Sequence, residues 1–80
     1  MGLQELIDAL AAADQDYIAP LGFGHPNSYR GDYSCVAFTP EENVTVAWML
    51  EHAKSALGAT FEGWKGGAYT MGPYTDCYIA

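Results

Sequence analysis

The sequence predicts an α+β fold, a three- or four-stranded antiparallel sheet packed on one face by two helices. Apolar residues recur at steps of three and four in two stretches, which is the pattern of a helix with one buried stripe. Between and after these stretches, β-prone runs are broken by Gly and Pro, and they read as short strands and turns. A chain of 80 residues reads as a single domain over 1–80, and a domain of that size buries only about 60% of its unfolded surface. A homodimer through the uncovered sheet face, or a bound partner, would add to the buried surface.

Over residues 2–14, Leu3, Leu6, Ile7, Leu10 and Ala13 form one helical stripe, with Gln4, Glu5, Asp8 and Ala12 opposite. Residues 19–32 hold Pro20, Gly22, Gly24, Pro26, Asn27 and Gly31, a density of breakers that predicts a long loop. Within it, Leu21-Gly22-Phe23-Gly24 lacks the third glycine, the Lys and the Ser or Thr of phosphate-binding loops, so it predicts no dinucleotide or nucleoside triphosphate site. Residues 33–39 alternate as a strand that is apolar on both faces and therefore central, and Pro40-Glu41-Glu42-Asn43 is expected to end it in a turn.

Thr45 is expected to cap a second helix that runs through Leu57, with Val46, Met49, Leu50, Ala53 and Leu57 inward and Gly58 as its left-handed stop. Beyond it, Thr60-Phe61-Glu62 and residues 68–71 and 74–79 predict a meander of three short strands. Trp64-Lys65-Gly66-Gly67 and Gly72-Pro73 are its turns. The last strand runs up to Ala80, and it is expected either to be tied into the sheet or to lead into further chain, this being the front part of a longer protein.

Ten acids against three bases give a formal net charge of -7 and argue against direct nucleic-acid binding, which draws its affinity from Lys and Arg clusters. The same charge favours a basic protein surface. Residues 1–8 lack the basic start of a secretion signal, and no run approaches a membrane span, so a cytoplasmic protein without membrane contact is expected. Cys35 and Cys77 are then expected as thiols, with a bridge left open, and their spacing is not that of a zinc site.

Two short segments combine an aromatic residue, a cation and glycine: Tyr29-Arg30-Gly31 and Trp64-Lys65-Gly66-Gly67. Stacking faces beside charges, with pliable backbone, suit a small planar anion or a partner surface, and the alternative is two ordinary turns. His25, in the glycine-rich loop, joins them as a candidate contact. His52, beside Glu51, reads as a solvated helix residue. Neither His has a partnered nucleophile among Cys35, Cys77, Ser28 and Ser34 at a recognisable spacing, so a binding protein without metal or cofactor is expected rather than an enzyme.

Leu21-Gly22-Phe23-Gly24, Ser28-Tyr29-Arg30-Gly31-Asp32-Tyr33, Asn43-Val44-Thr45-Val46 and Gly63-Trp64-Lys65-Gly66-Gly67, in this order, resemble a small uncharacterised family of bacteriophage-encoded proteins. The resemblance covers residues 21–80 and leaves the first helix outside. It implies an accessory protein that inhibits a bacterial defence factor by direct binding, in the manner of an anti-CRISPR, inside the host cytoplasm. The alternative it implies is a sponge that sequesters a nucleotide signal through Tyr29, Arg30, Trp64 and Lys65.

Overall fold

A computed structural model describes residues 1–29, 32–62 and 68–79. Its elements in chain order are α1 (Leu3–Ala12), β1 (Ile18–Tyr29), β2 (Asp32–Thr45), α2 (Val46–Ala56), β3 (Thr60–Glu62), β4 (Ala68–Thr70) and β5 (Asp76–Ile79). The fold is α+β, with a three-stranded sheet in the order β1-β2-β5 and a separate two-stranded sheet, β3-β4. The main sheet is mixed rather than purely antiparallel: β1 and β2 run antiparallel, whereas β5 lies parallel to β2, Val36 facing Cys77 and Phe38 facing Ile79. The expected meander is thus cut after β4, and the last strand crosses over to the main sheet.

The region expected as a loop is the longest departure from the sequence reading. Residues 18–29 form a strand despite their breakers: Gly22, Gly24, Pro26 and Asn27 all pair with β2, and Pro20 is passed over between Ala19 and Leu21. β1 is an edge strand, where the N–H groups that Pro20 and Pro26 lack are not needed by an outer neighbour. Gly22 and Gly24 are buried, and neither position has room for a side chain. A Cβ on Gly22 would lie 2.5 Å from Val44 Cγ2 of β2 and 3.0 Å from Met49 Sδ of α2, and one on Gly24 would overlap the Trp48 ring of α2. The turn expected at residues 40–43 is likewise strand: β2 continues to Thr45 opposite β1, Pro40 facing Phe23 beyond the last residue that β5 pairs. Asn43 takes a positive φ of 56°, which Asn tolerates better than most residues.

Helix α2 starts where Thr45 predicts. The Thr45 hydroxyl accepts from the Trp48 amide at 3.1 Å, and the carbonyls of Tyr17 and Gln15 accept from the Val46 and Ala47 amides. Three amides of the first turn are therefore satisfied, one by a side chain and two by the α1–β1 connection. Val46, Met49, Leu50 and Ala53 are buried as expected, but Ala56 takes the last inward place and Leu57, at 37% exposure, does not. The helix ends one residue earlier than the apolar pattern allows, and Gly58 follows with φ 80°.

Helix α1 has no capping side chain at Gly2, and its first amides dock on the turn before β5. Leu3 N–H donates to the Thr75 carbonyl at 2.8 Å and Gln4 N–H to the Pro73 carbonyl at 2.9 Å. Thr75 is buried, and its hydroxyl accepts from the Gly72 amide at 3.0 Å. Leu3 and Ile7 enter the core, Leu6 and Leu10 pack at its margin, and Ala13 is exposed past the helix end. One core joins both helices to both sheets through Leu3, Phe38, Val36, Ala53 and Met71. No helix among the described residues is long and apolar enough to cross a membrane.

Candidate functional site

Of the residues singled out for binding, only His25 has a described side chain. Tyr29 ends β1, paired with Asp32, and its side chain lies outside the described ones, as do Arg30, Trp64, Lys65, Gly66 and Gly67 altogether. The two aromatic and cationic segments cannot be placed relative to each other from the described residues. The site that does take shape is built around His25.

His25 is the extra residue of a β-bulge. Gly24 pairs with Thr39 and Pro26 with Phe38, so His25 has no partner across the ladder, and its φ of 46° turns the chain there. Its amide, freed from the ladder, donates to His52 Nδ1 at 3.1 Å. That bond fixes the neutral His52 ring with its proton on Nε2. Trp48 and His52 stand one helical turn apart on α2, at the i and i+4 spacing that puts side chains over one another, with ring centroids 4.1 Å apart. The His25 ring closes the group edge-on, 4.7 Å from His52 and 5.5 Å from Trp48.

Two further contacts tie the bulge to β2. His25 Nε2 lies 3.8 Å from a Glu41 carboxylate oxygen, and the Thr39 hydroxyl donates to the His25 carbonyl at 3.5 Å. Magnitudes rank these contacts. The His25–Glu41 contact is more than half exposed on the His side and is worth at most about 1 kcal/mol. The amide to His52 bond contributes about 0.5–1.5 kcal/mol, and aromatic pairs add a similar amount each. The Trp48 ring also lies close against Gly24, in space that is open only because that position has no side chain.

His52 is thus not the solvated helix residue that its neighbour Glu51 suggests; it is half-buried and carries a specific backbone hydrogen bond. Sequence reasoning missed Trp48 and Glu41 as its partners. The signal for Trp48 was present in its spacing of four from His52, and in the alternating glycines that mark a strand under a close-packed helix. Chemically, the cluster offers one exposed imidazole with a carboxylate beside it. The hydroxyls of Thr39 and Ser55 beside it are directed to the carbonyls of His25 and His52. No three His, Cys, Asp or Glu residues are grouped to hold a metal ion among the described residues.

Elsewhere the surface carries large apolar side chains in water: Tyr74 is 91% exposed, Leu21 85% and Ile79 60%. Both cysteines are thiols, Cys35 on β2 and Cys77 on β5. Burial pushes the Cys77 thiol up to about 11, Asp76 and Cys35 adding to the rise and the N-terminal amine opposing it. These features define a small acidic α+β domain with a preformed aromatic cluster and exposed apolar side chains. No protein-family model, curated protein or solved structure matches the chain, so its role is argued from its own residues.

Proposed function

We propose that this protein works by direct binding to a basic surface of another protein, as a phage-type accessory factor that inhibits a bacterial defence system in the host cytoplasm. The observation that carries the reading is the pairing of a net charge of -7 with large apolar side chains left in water, Leu21, Tyr74 and Ile79 above all. Scattered acids alone keep a small protein soluble, but exposed Leu, Ile and Tyr side chains reduce solubility and persist where they meet a partner. Charge then steers the encounter and apolar contact holds it, so the association rate, more than the dissociation rate, depends on salt.

Affinity capture from lysates of bacteria bearing defined defence systems tests the proposal. The expected result is retention of a defence component at low salt, with slower association at raised salt. Retention of nothing beyond an unrelated acidic control of the same size contradicts it. The nucleotide sponge keeps one supporting observation, an exposed imidazole at the edge of a Trp and His face. Calorimetry with mono-, di- and cyclic nucleotides decides that alternative, and absence of heat across the panel removes it.

A further inference from the structure

We propose that the cleft between Leu21 and Ile79 is the docking surface, and that its occupant is a basic amphipathic segment of the partner protein. This rests on the binding reading above and names the surface that does the binding. The cleft, about 360 Å³, is walled by Leu21 and Gly22 of β1, Pro40, Glu41 and Glu42 of β2 and Ile79 of β5. Glu42 is the partner of Leu21 across the ladder and shares its face of the sheet, whereas the Glu41 carboxylate lies beside His25. Ile79 also lines a second, mainly apolar cleft of about 130 Å³ with Leu6, Phe23, Phe38, Cys77 and Tyr78. The two clefts therefore share a wall, and together they form one apolar run across the three strands of the main sheet.

The chemistry of the walls selects the occupant. Leu21 and Ile79 are largely exposed, so an apolar side chain entering between them releases water from both partners. Glu42 stands at the edge of that apolar contact, opposite Leu21, where Lys or Arg flanking the guest side chain would meet it. A guest with two apolar side chains on one face fits the pair of clefts, one in each. A second copy of this chain is the poorer occupant. A two-fold contact through this face would set Glu42 against its own counterpart, on molecules that each carry a net charge of -7.

The test uses a synthetic peptide with leucines at i, i+3, i+4 and i+7 and lysines elsewhere, beside a scrambled peptide of the same composition. Amide shifts of the isotope-labelled protein are expected to move at Leu21, Gly22, Glu41, Glu42 and Ile79 with the amphipathic peptide and to move little with the scrambled one. Leu21→Ser should weaken binding about tenfold or more, since a buried leucine contact is lost. Glu42→Gln should weaken it about threefold and flatten its salt dependence. Both positions are exposed, and circular dichroism confirms that each variant is folded.

Equal binding of the two peptides, or shifts confined to other acidic positions, overturns the cleft assignment while leaving an acidic binding protein in place. No binding of either peptide overturns the cleft and the electrostatic basis of the functional reading together. A dimer in light scattering that Leu21→Ser dissociates assigns the cleft to a second copy and overturns the proposal.

Discussion

At the scale of single residues, the junction of β1 and α2 depends on an absence. Gly24 has no Cβ, and the Trp48 ring occupies that space. Gly24→Ala is therefore expected to cost about 1–3 kcal/mol, by forcing the indole off its seat. The cost should shrink in a Trp48→Leu background, and a double-mutant cycle by urea unfolding reads that coupling directly. His52→Ala should cost about 1 kcal/mol by leaving the His25 amide without its acceptor, and amide exchange at His25 should quicken. Cys77 makes a different prediction. The folded thiol is held up at about 11 against an ordinary value of 9.0, chiefly by burial. Above pH 9.0 the unfolded chain gives up a proton that the folded chain keeps, so stability falls from there to about pH 11. Below 9.0 this group has no effect. Urea midpoints at pH about 8 and about 10.5, for wild type and Cys77→Ser, check the sign: the wild type should lose more. His25 stood out in the sequence by its glycine setting. Its partners did not, because Trp48 and Glu41 reach it from elements distant in sequence.

At the scale of elements, the helices were legible and the first strand was not, for the same physical reason. Helix signals are local: Thr45 as cap, Gly58 as stop and the stripe of Val46, Met49, Leu50 and Ala53 can all be read within one stretch. The strand status of residues 18–29 is set from outside, by β2 on one side and by a helix that needs glycines under it, so local breakers mislead there. The parallel placement of β5 had no local signal either. Its anchor is the turn that caps α1, and Thr75 is its buried pivot. Thr75→Val keeps the shape and removes the acceptor for the Gly72 amide, and it is expected to cost about 1–3 kcal/mol. Because that turn also satisfies the first amides of α1, loss of helical signal and loss of β5 should occur together in hydrogen exchange. Exchange that releases α1 while β5 stays protected contradicts this coupling.

At the scale of the whole molecule, the proposed docking of a basic partner rests on a net charge of -7 and on an apolar run across the main sheet. The charge was plain in the sequence. The run was not, since Leu21, Phe23, Phe38 and Ile79 come together only through the β1-β2-β5 order. The most direct measurement is phage plating on a panel of bacterial strains, each carrying one defence system, with and without this chain expressed. The account predicts that plating recovers in at least one strain and that Leu21→Ser, folded and equally abundant, abolishes the recovery. Equal plating in every strain with and without the chain contradicts the account.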